Sequence, residues 1–158
     1  MAMILKSPVF EHQGDIPSKY TCEGEDMSPP LEWSGIPENA KSLALVVDDP
    51  DAPDPKAPKR VWVHWVLYNL PAKSEGLPEG LQRIDLPKGS IEGTNDWGRL
   101  GYGGPCPPIG RHRYFHKLYA LDRMLPDKGN LTKQQLEESM RGHVLAQAEL
   151  VGTYQKTS

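Results

Sequence analysis

Apolar and polar residues alternate with a period of two over most of this chain, the spacing of half-buried strands. Met3–Phe10 (MILKSPVF) predicts a short edge strand that Pro8 interrupts, because proline withholds a ladder N–H. Ser42–Asp49 (SLALVVDD) is a nearly unbroken apolar run and predicts a buried strand. Arg60–Leu70 (RVWVHWVLYNL) alternates, with Val61, Val63, Trp65 and Leu67 expected on one face and Trp62, His64, Val66 and Tyr68 on the other. Arg113–Asp122 (RYFHKLYALD) predicts a further strand. Only one segment steps by three or four. Leu136, Met140, Val144, Ala148 and Val151 predict a helix over about residues 133–150, opened by a Thr132/Gln135 capping box and ended by Gly152. Many strands and one late helix predict a mainly β fold, a sandwich or barrel-like sheet pair with a helix packed on it.

Composition narrows this picture. The chain has 158 residues, enough for one domain spanning 1–158 with a core that needs no staples. Most of the fifteen glycines and sixteen prolines lie between the periodic segments, so the strands are joined by many rigid turns. A formal net charge of −3 gives no basic surface of the kind nucleic-acid binding needs, so no nucleic-acid partner is expected. No window approaches the length of a membrane span, and the first residues lack the apolar core of a signal peptide. The two cysteines, Cys22 and Cys106, permit a disulfide, but spacing does not bring them together; reduced thiols in a cytoplasmic protein are expected.

Three stretches have the residues for chemistry. In DDPDAPDPKAP (Asp48–Pro58) a buried strand runs into Asp48, Asp49 and Asp51, stiffened by Pro50 and Pro53. These carboxylates can accept hydrogen bonds from a ligand, hold up a neighbouring loop, or only cap their own turn. His64 sits among aromatic and aliphatic residues, either as a satisfied core histidine or as a site residue near neutral pH. In GYGGPCPPIGRHRYFHKLYALD (Gly101–Asp122) strand parity places His112, Tyr114 and His116 on one face, and Arg113, Phe115 and Lys117 on the other. His112 and Tyr114 can thus converge on one small group. Arg113 points away and requires a carboxylate, for which the aspartates of the earlier strand are candidates. The loop lacks phosphate-loop spacing, and no G-x-S-x-G, H-E-x-x-H or C-x-x-C occurs, so no metal and no cofactor are expected. Cys106 beside two histidines leaves open a small hydrolase or transferase that uses Cys106 or a His.

Together, DDPDAPDPKAPKRVWVHWVLYNLP and GYGGPCPPIGRHRYFHKLYALD resemble the two signature regions of the phosphatidylethanolamine-binding protein (Raf kinase inhibitor-like) family. The likeness extends to YTCEGEDMSPPLEWSGIP and MRGHVLAQAELVGTYQ, and is to the bacterial and archaeal branch. It implies a two-sheet β-sandwich with a few short helices and a small anion pocket at one end, which takes phosphate or a phospholipid head group. Carried over residue by residue, it implies that Asp49, His64, Pro108, His112 and Tyr114 bind the ligand. Pro53, Trp62, Gly104 and Cys106 would form the wall, and Asp51 and Arg113 a supporting ion pair. His64, His112 and Tyr114 would offer N–H and O–H donors to the anion. The resemblance further implies a non-enzymatic binding protein, lipid-binding in some relatives, that regulates a kinase or inhibits a serine protease, with a homodimer among its possible states. In the eukaryotic relatives the position of Cys106 is usually a small residue other than cysteine, and a C-terminal helix flanks the pocket; no such helix is expected here.

Overall fold

The structure is a computed structural model, and it describes residues 2–157. Among the described residues the strands form two sheets. The smaller sheet contains β1 (Ile4–Lys6), β3 (Leu31–Ser34) and β6 (Gly76–Leu77), with β3 in the middle. The larger contains β2 (Gly14–Asp15), β4 (Ser42–Ala52), β5 (Arg60–Pro71), β7 (Ile91–Glu92), β8 (Arg111–Leu121) and β9 (Val144–Gln155), in the order β2-β9-β8-β4-β5-β7. All pairings are antiparallel except β2 with β9. The edge position expected around Pro8 is seen in β1, which stops at Lys6.

The unbroken apolar run of β4 follows from its place near the middle of the larger sheet, covered on both sides. Leu43, Leu45 and Val47 face the smaller sheet and join Leu5, Leu31 and Trp33 in the inter-sheet core. Ala44 and Val46 face the other way and join Leu136 and Met140 of helix α1 (Lys133–Met140) in a second core. Burying such a side chain stabilises by roughly 1.5–3 kcal/mol, so both faces bind their layers firmly.

Two expectations are corrected here. The helix does not run to residue 150. Its capping box forms as expected, with the Thr132 hydroxyl accepting from the Gln135 N–H and the Gln135 side chain accepting from the Thr132 N–H. It ends at Met140, and Gly142 takes a left-handed φ of +81° that turns the chain into β9. The segment also carries a period of two, Ala146–Ala148–Leu150–Gly152–Tyr154, and these positions turn inward along β9. An unpaired flank of β8 accepts that pattern along its whole length, from Arg111 opposite Gln155 to Leu121 opposite Val144. Gly152 lies mid-strand, where a side chain would collide with Ile16 and Phe10.

The simple alternation of β5 also fails. Val47 pairs with Trp65 and Asp48 with Val63, so His64 is an extra residue, a β-bulge. The bulge rephases the strand. Trp65 and Leu67 enter the inter-sheet core, whereas Val63, Val66 and Tyr68 enter the core under α1. Trp62 and His64 therefore share a face with Trp65, and not with Val66 and Tyr68.

Candidate functional site

The end of β4, the start of β5 and the start of β8 lie side by side, since both neighbours run antiparallel to β4. Each delivers its polar residues to the same end of the sandwich. Asp49, Ala52, Pro53, Trp62, His64, Trp97, Cys106, Pro107, Pro108, His112 and Tyr114 enclose a cavity of about 310 Å³. That is near the lower end of the range for small-ligand pockets. Trp97, Ala52 and Pro107 are additions that alternation does not announce. Trp97 packs edge-on against His64 and Trp62, with ring centroids 5.1 and 5.4 Å apart. A tryptophan inside the Gly-rich turn TNDWGRLGYGG is the signal that points to it.

The aspartates at the end of β4 divide three ways. Asp48 is buried on the α1 side and accepts from Lys133 at 2.6 Å and Lys117 at 3.2 Å, tying the helix to the sheet. Asp51 accepts from Arg113 at its backbone N–H (2.9 Å), Nε (3.0 Å) and Nη2 (2.9 Å), so the ion pair is bidentate. Burial alone would raise the Asp51 carboxyl, but the Arg113 hydrogen bonds and charge outweigh it and hold it below the usual range. Asp49 faces the cavity. One of its oxygens accepts from the Asp51 N–H at 2.7 Å, and the other meets His112 Nδ1 at 2.6 Å. Burial pushes the Asp49 carboxyl up in spite of those bonds.

His112 is 1% exposed and its hydrogens are fully committed. Its Nε2 lies 2.9 Å from the Ile109 carbonyl and 3.0 Å from that of Pro53. A carbonyl only accepts, so Nε2 carries a hydrogen. A distance of 2.6 Å between Nδ1 and a carboxylate oxygen requires one more proton shared between them. The Asp49–His112 pair is therefore neutral overall, whichever partner holds that proton. His64 is buried, and its Nδ1 donates to the Gly103 carbonyl at 2.7 Å. Burial pushes His64 down to about 4, so near pH 7 it is neutral and its Nε2 is a bare acceptor. Neither histidine has a spare N–H for an anion, which departs from the donor role expected of them.

The Tyr114 hydroxyl is different. It is buried, belongs to a residue that lines the cavity, and has no hydrogen-bond partner among the described residues. Burial first, and then the charge of Asp49, drive its pKa far above the ordinary value, so it remains an O–H.

The wall opposite β8 is held from outside. Cys22 and Cys106 form a disulfide, with Cα atoms 5.4 Å apart, which corrects the expectation of reduced thiols. It removes both the thiol argument for a cytoplasmic protein and a free Cys106 nucleophile. Cys22 N–H also donates to Pro105 O at 3.1 Å, and Tyr102 OH to Tyr20 O at 2.8 Å. Gly104 is set back from the cavity, a second correction. It packs on the Tyr20–Asp26 loop and donates its N–H to Asp26 at 2.8 Å, and any side chain there would collide with that loop. Pro53, Trp62, Cys106 and Pro108 do line the cavity. Among the described residues no three His, Cys, Asp or Glu side chains gather as metal ligands would. Nor, among the described residues, is any helix long and apolar enough to cross a membrane.

A family model described as phosphatidylethanolamine-binding protein matches residues 6–155, almost the whole chain and every residue named above at the cavity. The chain belongs to the phosphatidylethanolamine-binding protein family. It is 52% identical over 155 residues to the UPF0098 protein of Methanothermobacter thermautotrophicus, covering 98% of this chain and 99% of that one. The crystal structure of a phosphatidylethanolamine-binding protein homologue from Chlamydia trachomatis superposes with a TM-score of 0.90 at 46% identity, over 98% of each chain. YbcL of Escherichia coli superposes with 0.88 at 33% identity, over 99% of this chain and 100% of that one. The carboxypeptidase Y inhibitor, solved with its cognate proteinase, shares the fold with a TM-score of 0.61 at 18% identity, over 99% of this chain and 84% of that one. The mainly β, two-sheet architecture is that of this family.

Proposed function

We propose that the cavity lined by Asp49, His64, Pro108, His112 and Tyr114 binds a small phosphoryl-bearing anion, and that the protein acts by binding rather than by turnover. The observation that carries this is Tyr114, which lines a preformed cavity and whose buried hydroxyl has no hydrogen-bond partner among the described residues. An unsatisfied buried hydroxyl costs on the order of 1–3 kcal/mol, and a ligand oxygen recovers that loss. Turnover fits the site less well. The Cys106 sulfur is in a disulfide, and His64, at about 4, is a weak base near pH 7. A protein partner, kinase or serine protease, would meet this end of the sandwich where Trp97 and Ile109 stay 38% and 54% exposed at the rim.

Calorimetry with inorganic phosphate and phosphoethanolamine tests the reading. Saturable binding is expected, weakened about tenfold in Tyr114→Phe, which removes one hydrogen bond to a charged group. Absence of heat in the parent protein, or equal affinity in the variant, would refute it.

A further inference from the structure

Three consecutive residues of the cavity wall are fastened by a crosslink in place of hydrogen bonds. The chain on either side of them is hydrogen-bonded. Gly103 donates its N–H to the His64 carbonyl at 3.0 Å and accepts from His64 Nδ1 at 2.7 Å. Gly104 donates to Asp26, and the Pro105 carbonyl accepts from the Cys22 N–H. Further on, the Ile109 carbonyl accepts from His112 Nε2 at 2.9 Å. Between these points Cys106, Pro107 and Pro108 all line the cavity. The two prolines have no N–H to donate, and among the described residues no hydrogen bond reaches any of the three. What ties the stretch down is the bond from Cys106 to Cys22, a residue in a loop 84 positions earlier.

That tie is open to solvent. Cys22 and Cys106 are both exposed, whereas Gly103, Gly104 and Pro105 beside them are buried. A thiol arriving from solvent therefore meets the bridge at the cavity wall itself.

We propose that the Cys22–Cys106 bridge is a redox latch on the cavity: closed, it holds the wall in its ligand-binding shape, and opened by a small dithiol, it frees the wall and weakens binding. The ligand in question is the phosphoryl anion proposed above, and the latch rests on that reading. The chemical step is thiol–disulfide exchange. A thiolate of the dithiol attacks one bridge sulfur and displaces the other, which takes up a proton. The second thiol of the reagent then displaces the first protein sulfur. Two electrons pass to the protein, which gains two cysteine thiols, and the dithiol leaves as its own disulfide.

The release is local. The strand ladders that carry Asp49, His64, His112 and Tyr114 do not pass through the bridge, so that side of the cavity keeps its place. A ligand entering the opened cavity has to order Cys106–Pro108 on binding, and that ordering costs affinity. Linkage makes the effect reciprocal: the ligand shifts the thiol–disulfide equilibrium toward the bridge by the same factor.

Calorimetry with phosphoethanolamine on the oxidised protein, on the protein held in dithiothreitol and on the Cys22→Ser/Cys106→Ser variant tests the latch. Affinity is expected to be about fivefold or more weaker in the latter two. Backbone order parameters from NMR relaxation report the wall without any ligand. At Cys106 and Ile109 they are expected to fall on reduction from about 0.85 toward 0.6, with those of β4 unmoved. Binding that reduction leaves equal or makes tighter overturns the latch and leaves the ligand site standing. Order parameters that stay high at the wall overturn it as well. Unfolding of the whole protein on reduction also overturns it, since the bridge is then a staple of the fold. Absence of binding by the oxidised protein overturns the ligand site and the latch with it. The dithiothreitol comparison on the wild-type protein stands even if the double variant fails to fold.

Discussion

His64 and His116 illustrate how burial sets a side chain's charge. His64 donates to Gly103 O, and His116 Nδ1 lies 3.1 and 3.2 Å from the Tyr114 and Leu150 carbonyls. Burial pushes both down to about 4, against 6.5 when exposed. Between those values the unfolded chain binds more protons than the folded one, so stability falls as the pH falls. Each histidine is expected to remove about 2 kcal/mol on going from pH 7 to pH 5. Urea unfolding at the two pH values checks this, and equal free energies would show that the histidines are not buried in neutral form. Asp49 acts in the opposite sense at lower pH, because its raised carboxyl takes up a proton in the folded state first. At this scale the two faces of β8 were legible. His112, Tyr114 and His116 share the inward face and Arg113 turns to Asp51, because nothing interrupts the alternation between them. His64 was legible as a buried residue, but its face was not, since the bulge that sets it arises from pairing with β4.

Among the elements, α1 and β9 show local and non-local preferences competing within one segment. The capping box is a contact between neighbours in sequence, and it forms as read. Thr132→Ala is expected to cost about 1 kcal/mol in urea unfolding, by leaving an N-terminal N–H without its acceptor. An unchanged midpoint would mean that the cap contributes nothing to the fold. Beyond Gly142 the sequence supports either a helical or an alternating pattern, and β8 decides between them by offering a full-length hydrogen-bond partner. The helix survives only where its apolar face, Leu136 and Met140, has the outer side of β4 to cover.

Across the whole molecule, the disulfide joins parts of the chain 84 residues apart and fixes the cavity wall at Cys106 to the loop at Cys22. Both cysteines are exposed, so reductant can reach them. In the chain-entropy picture a crosslink of this span restricts the unfolded state by on the order of 4 kcal/mol. Reduction is therefore expected to lower the urea midpoint markedly and to steepen the slope, because the uncrosslinked unfolded chain exposes more surface, measured with and without reductant. If the midpoint does not move, the backbone bond from Cys22 to Pro105 and the Tyr102 hydroxyl bond to Tyr20 hold the wall by themselves.

The sequence by itself determined the main strands, the family and the two faces of β8, because period-two patterning and short motifs are local properties. It also carried the capping box and the need of Arg113 for a carboxylate. Tertiary structure decided the rest: the bulge at His64, the strand fate of residues 144–155, the Cys22–Cys106 pairing and the place of Trp97 in the cavity. It also decided the direction of every hydrogen in the site. Those features depend on which groups meet across the sandwich, and spacing along a chain does not encode distance in space.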